Sequence, residues 1–170
     1  FVFTKIEPFA QYGFNKSHAA AYALIAYQTA YLKTYHKEDF IAATMSTELT
    51  NTSKLREFVE ELKRLNVEII RPSINKSFAE FKAIDGKLFY GLGAIKSVGF
   101  EAISNILKER ERNGKYKTFA DFINRVDAKD VNKLQLEGLV KSGVFDEFDK
   151  DRSKILNSIP KIIQQIKNIN

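Results

Sequence analysis

The chain has 170 residues, enough for one ordinary domain or two small ones, and 44% of them are hydrophobic, which can supply a core. It contains no cysteine and only two histidines, which excludes a disulfide framework and thiolate metal sites and fits a reducing compartment. Net charge is +6, and residues 1–50 are balanced, so the basic excess lies in residues 51–170 and favours a polyanionic partner over a bare solvated surface only weakly.

The start, "FVFTKIEPFAQYGF", carries no basic segment followed by an apolar one, so it does not read as a signal peptide. It begins with Phe and without a cap, which suggests a chain cut from something larger. A short helix or turn is expected over residues 3–11, ending near Gly13. A helix is then expected from about Ser17 to Tyr35, capped by Ser17 or Asn15, with Lys33, His36 and Lys37 at its C-terminal end. Its middle is apolar on every face, so burial is expected. The uncharged run Ala19 to Leu32 falls short of the roughly 18 to 20 apolar residues that cross a bilayer. A soluble, cytoplasmic protein is expected.

After a break near His36, "DFIAATMSTEL" reads as a second helix. In "NTSKLREFVEELKRLN", Leu55, Phe58, Val59, Leu62 and Leu65 recur at three- and four-residue steps. Asn51 or Thr52 caps this amphipathic helix, and Asn66 ends it in a left-handed conformation. "VEIIRPSI" predicts a short strand that Pro72 limits, and "FAEFKAI" and "KLFYGL" flank Asp85-Gly86 as a β-hairpin. The remainder reads as helical: "FEAISNILKERER", "TFADFINRV" with a Thr118/Asp121 box, "NKLQLEGLVKSG" with an Asn132/Gln135 box, and a last helix strained or kinked at Pro160. The best internal boundary lies near Arg71 to Ser77.

Catalytic signatures fail. The histidines are eighteen residues apart with no cysteine, and no alternating-Asp calcium loop occurs. "GLGAIKSVG" misses both the Rossmann and the Walker spacing. No acid pair stands isolated in an apolar setting.

Two stretches remain. "LGAIKSVGFEAISNIL" has the layout of a helix-hairpin-helix: a short apolar helix, a tight turn at Ser97-Val98-Gly99, and a second helix. Such a turn aims backbone N–H groups outward where the helix dipole favours an anion, and Lys96 adds charge. The usual motif has glycine on both sides of the apolar turn residue, and Ser97 takes the first place here with some strain. An ordinary helical hairpin is the other reading. "LEGLVKSGVFDEF" repeats the plan, with Lys141 before Ser142-Gly143-Val144. Asp146, Glu147 and Asp149 follow that turn, so the first hairpin is expected to bind phosphate better than the second.

"FAQYGFNKSHAAAYALIAYQTAYLKTYHKEDFIAA" closely resembles the fingers of the C-family of bacterial replicative DNA polymerases, the alpha subunits of DNA polymerase III. "YGLGAIKSVG" and "LVKSGVFDEF" resemble the tandem helix-hairpin-helix that follows. The resemblance covers essentially the whole chain, and Tyr12 to Ala23 is its most specific part. It implies a mainly α fold: a helical fingers subdomain over residues 1–75, and over 76–170 a small β-hairpin or short sheet followed by the tandem unit. It implies nucleotide or template contact at Asn15, Lys16 and His18, capping by Ser17, and duplex backbone binding at Lys96, Ser97, Val98, Gly99, Lys141, Ser142 and Gly143. The parent would be a DNA-directed DNA polymerase using two Mg2+ ions, deoxynucleoside triphosphates and primer–template DNA. Its metal-binding palm and its sliding-clamp and tau contacts would lie outside this chain, which alone would be inactive and hold no cofactor. A stand-alone helix-hairpin-helix module of repair or ligase type, and a helical interaction scaffold, are the competing readings.

Overall fold

The computed structural model describes residues 3–4 and 16–169. Phe3 and Thr4 are helical; the rest of the short element expected over residues 3–11, and Asn15, lie outside the described residues. Helix α1 spans Lys16–Tyr35, α2 Lys37–Thr47 and α3 Thr52–Arg64. Strands β1 (Glu68–Ile70), β2 (Lys82–Ile84) and β3 (Lys87–Phe89) follow, then a 3-10 turn at Leu92–Ala94. Four more helices complete the chain: α4 (Phe100–Asn113), α5 (Phe119–Arg125), α6 (Lys133–Lys141) and α7 (Arg152–Ile169). The fold is mainly helical with one small sheet, as the sequence leads one to expect.

Local signals act where they are written. Asn51 caps α3 by accepting from the Lys54 N–H, and Asn66 takes φ 55° beyond the helix end. Thr118 caps α5 through the Asp121 N–H, while the Asp121 carboxylate reaches one residue further back than a standard box, to the Lys117 N–H. The Asn132/Gln135 box on α6 is complete in both directions. Asp85 and Gly86 both adopt positive φ, the two-residue turn that matches strand twist. Helix α7 runs through Pro160 without ending there. Ile155, Ile159, Ile162 and Ile166, at helical spacing, seat it in the core, while Pro160 faces solvent.

The expected burial of α1 does not occur. None of its residues is buried, and Tyr22, Leu24, Ile25, Tyr27, Tyr31, Leu32 and Tyr35 are 43–68% exposed. An all-round apolar pattern states a need for neighbours on every side. Here the helix packs chiefly on α2 and is pinned by the Lys33–Glu61 ion pair at 2.7 Å. Ser17 also differs from its expected place: Lys16 is already helical, so Ser17 lies inside the first turn rather than ahead of it.

Among the described residues two apolar cores form. The first joins Ile41, Ala42 and Met45 of α2, Leu55 and Leu62 of α3, Val67, Phe81 and Leu88. The sheet order is β1-β3-β2: β1 lies parallel to β3, with Ile69 opposite Leu88, and β2 lies antiparallel to it. Ser46 of α2 fastens this sheet, its Oγ donating to the Phe81 carbonyl and accepting from the Phe81 N–H. The second core gathers α4 to α7 around the rings of Tyr116, Phe119, Phe122 and Phe145, with edge-on contacts such as Phe122–Phe145 at 4.8 Å. The chain threads between the cores: Ile74 belongs to the second, Phe81 and Leu88 to the first, and Leu92 to the second again. The division expected between residues 75 and 76 falls inside this threading.

The Ile74–Ser77 turn is held by polar contacts. The Arg110 guanidinium donates to the Ile74 and Ser77 carbonyls, each at 2.8 Å. Asn75 and Tyr116 exchange two bonds through the Asn75 side chain and the Tyr116 backbone, at 2.8 and 2.9 Å. The Tyr116 hydroxyl donates to the Ile106 carbonyl at 2.8 Å, and Arg125 stands 4.3 Å over its ring. Burial pushes the Tyr116 phenol from 10.0 up to about 12. The fold therefore favours the neutral phenol, and this contribution is complete below pH 10 and lost as pH rises toward about 12. Thermal unfolding followed across that range will show a falling midpoint, and Tyr116→Phe will flatten the fall while costing about 1 kcal/mol at neutral pH for the lost hydrogen bond.

Candidate nucleic-acid interface

The first hairpin begins where the 3-10 turn ends. Ile95 is extended, the Val98 N–H closes back on the Ile95 carbonyl at 3.1 Å, and Ser97 takes φ 71°. This is the left-handed conformation that L side chains resist, so the serine accepts strain where glycine would have none. Gly99 is extended instead, at φ −75°, and serves as N-cap of α4. A Cβ there would meet the Gln135 Nε2 at 3.4 Å, an ordinary contact, so neither space nor backbone conformation demands glycine at this position. Unlike α3, α5 and α6, helix α4 has no side-chain cap. Its first-turn amides and positive dipole end stand beside exposed Lys96 and Ser97. Val98 turns inward and packs on the second core.

The second hairpin shares the sequence plan but not the geometry. In Lys141-Ser142-Gly143-Val144 the left-handed residue is Gly143, at φ 82°, and Ser142 is right-handed. The Ser142, Gly143 and Val144 N–H groups donate to the carbonyls of Gly138, Val140 and Leu139. This is a Schellman ending of α6, which directs the turn's amides inward. Val144 and Phe145 are buried, and residues 142–148 remain in turns. The helix expected directly after the turn begins only at Arg152. The Arg152 guanidinium pairs with Asp146 and donates to the Lys141 carbonyl at 3.0 Å, lying across Gly143. The Arg152 hydrogen bond holds the Asp146 carboxyl below the usual carboxylate range. Lys141 reaches Glu137 at 3.2 Å.

The two turns meet. Helix α6 crosses the first turn at Gly138, where a Cβ would sit 2.7 Å from the Lys96 carbonyl oxygen and 3.4 Å from Val98 Cγ2. Beside this crossing lies an open cleft of about 610 Å³ whose lining includes Lys96, Ser97, Lys141 and Ser142. The structure thus brings together the Lys-Ser pairs of both hairpins, with Val98 and Gly99 immediately behind the first and Gly143 behind the second. The uncapped amides of α4 and the Lys96 side chain are groups that a polyanion backbone contacts without reading bases, while Lys141 lines the same cleft paired with Glu137.

Lys16 and His18 are elsewhere. Both are exposed on α1, His18 lies 4.3 Å from the Tyr22 ring centroid to centroid, and no α1 residue lines the cleft. Reasoning from sequence missed Gly138, Leu134, Tyr90 and Pro72, which shape the cleft. A signal existed for two of them: Leu134, Gly138 and Lys141 recur at helical spacing on one face of α6.

A family model described as helix-hairpin-helix motif matches residues 66–155, which include both turns. Curated relatives include the DNA polymerase III subunit alpha of Borreliella burgdorferi, 47% identical over 97% of this chain and 14% of that protein. The Campylobacter jejuni subunit is 46% identical over 92% of this chain and 13% of its own, and that of Thermus aquaticus 42% identical over 96% and 13%. The chain therefore spans about one seventh of the length of these relatives. It belongs to the helix-hairpin-helix family, and along nearly its whole length it is similar to a segment of DNA polymerase III alpha subunits.

Proposed function

We propose that this chain is the segment of a bacterial replicative DNA polymerase that grips the primer–template duplex by its backbone, with the end of the fingers attached. The observation that carries this is the convergence of Lys96-Ser97 and Lys141-Ser142 on one cleft beside the uncapped start of α4. Family membership and the polymerase relatives support it and weigh against a free-standing repair module or a scaffold. The first hairpin is the stronger phosphate contact, because the amides of the second turn are directed inward.

On this reading α1 belongs to the fingers, and Lys16 and His18, with Asn15, contact the incoming nucleotide or template. Lysine suits this as a compact phosphate-binding cation. In the parent, template-dependent nucleotide addition would use two Mg2+ ions held by a palm outside this chain. Among the described residues no group of three His, Asp or Glu side chains is placed to hold a metal. On this reading the chain alone is inactive, because the metal-binding palm would lie outside it. Sliding-clamp and tau contacts would also lie in other parts of the parent, a cytoplasmic replicase.

Fluorescence anisotropy with labelled primer–template duplex tests the grip. Binding is expected to be independent of sequence, stronger to duplex than to single strand, and to weaken with salt at a log–log slope of about −3 for three or four phosphates. No binding at about 100 μM in low salt overturns the proposal. Lys96→Glu is expected to weaken every duplex sequence alike; a sequence-selective loss would contradict backbone contact. Gly138→Ala changes no charge, yet its Cβ must displace the Lys96 carbonyl. It is expected to cost about 1–3 kcal/mol in unfolding free energy and to lower duplex affinity as the turns part.

A further inference from the structure

Helix α4 ends at Asn113-Gly114, the one Asn-Gly pair in the chain. The fold needs this glycine: Gly114 takes φ 80°, the left-handed conformation that stops a helix. The same requirement leaves a backbone nitrogen unshielded. A Cβ on Gly114 would meet nothing within 4 Å, both residues are exposed, and the Gly114 N–H makes no hydrogen bond among the described residues. One contact opposes attack by that nitrogen on the neighbouring side chain. The Asn113 amide donates to both carboxylate oxygens of Glu109, at 2.8 and 2.9 Å, one turn back along α4. This holds the side chain toward the preceding turn, away from Gly114. Glu109 also accepts from the Arg125 Nε at 3.1 Å, and Arg125 donates to the Gly114 carbonyl at 2.9 Å while covering the Tyr116 ring. The end of α4 and the seat of Tyr116 therefore share one polar network.

We propose that Asn113-Gly114 is a site of spontaneous deamidation, restrained by Glu109, and that its product loosens the end of α4. The only co-reactant is water. The Gly114 nitrogen gives its proton to solvent and attacks Asn113 Cγ. The new N–C bond closes a succinimide ring, the C–N bond of the side-chain amide breaks, and ammonia leaves. Water then adds to one of the two ring carbonyls and reopens the ring. The result is aspartate or isoaspartate at 113, with the amide nitrogen released as ammonium. Nothing is oxidised or reduced. The change replaces a donor by an ionised acceptor, so the bonds from Asn113 to Glu109 are lost. Two like charges then stand four residues apart, at the helix end where the dipole disfavours an anion. The site is independent of the proposed DNA grip, which uses the opposite end of α4.

The test incubates the 170-residue chain at mildly alkaline pH, folded and in denaturant, and maps its peptides by mass spectrometry. Deamidation adds about 1 Da to the peptide that contains it. In the folded chain the gain is expected at Asn113 ahead of every other asparagine, and more slowly than in denaturant. Glu109→Ala, its folding checked by circular dichroism, is expected to speed the folded-state reaction about fivefold, the factor that one lost hydrogen bond is worth. No gain at Asn113 in the folded chain, over a time in which the denatured chain converts, overturns the site. Equal rates in the folded and denatured chain overturn the restraint, and this comparison stands even where Glu109→Ala fails to fold. A folded Glu109→Ala that reacts no faster than the unaltered chain also overturns it. Asn113→Asp, which supplies the aspartate product directly, is expected to lower the thermal midpoint by about 2–4 °C. An unchanged midpoint overturns the loosening of α4.

Discussion

Everything at the cleft depends on one backbone contact, the passage of Gly138 over the Lys96 carbonyl. A helix can come this close to another segment's main chain only where it lacks a Cβ. Gly138 costs α6 some intrinsic stability relative to alanine, on the order of 1 kcal/mol. The complete capping box at the start of that helix and the Schellman motif at its end offset the loss. With α6 so placed, Leu134 and Lys141 fall on either side of the crossing, and Gln135 comes up to the N-terminus of α4. One short helix therefore belongs to the second hairpin by sequence and shapes the turn of the first.

The hairpins show how four similar residues can end in different states. In the first, strain sits on Ser97 and the helix that follows begins without a side-chain cap. In the second, Gly143 relieves the strain and the preceding helix closes on itself. The local order of glycine and the apolar residue decides which. Where the apolar residue comes third, as Val98, it anchors inward and leaves the next helix start open. Where it comes fourth, as Val144, it completes a helix ending and joins the core. The Asp146–Arg152 pair then lies over Gly143, with an acid where a phosphate would otherwise approach.

What could be read from sequence divides by range. The caps at Asn51, Thr118 and Asn132, the Asp85-Gly86 turn and left-handed Asn66 each rest on neighbours within a few residues, and their chemistry is written locally. Ser97, too, was recognisable as a strained stand-in for glycine. The pairing of β1 with β3 was not, because its partners lie about twenty residues apart and the hairpin alone already satisfied the visible pattern. Nor was Gly138, whose role exists only once a distant turn lies against it. Helix α1 failed in the opposite sense. Its composition reports what the helix would gain from burial, and neighbours alone decide whether it gains it. For the cleft, the lysines were legible as charge, while Pro72, Tyr90 and Leu134 come from three chain segments and had no single signature.

The threading of the chain between the two cores has a consequence for how such a protein can be divided. Ile74 is committed to the helical core before Phe81 and Leu88 have been delivered to the sheet core. A break ahead of Ile74 strips the sheet core of Phe81 and Leu88, and a break after Leu88 leaves Ile74 on the wrong piece. No single cut yields two intact halves. A gene truncated anywhere in this stretch would encode one module with a hole in its interior, so the two hairpins and the helices that carry α1 stand or fall as one folded unit.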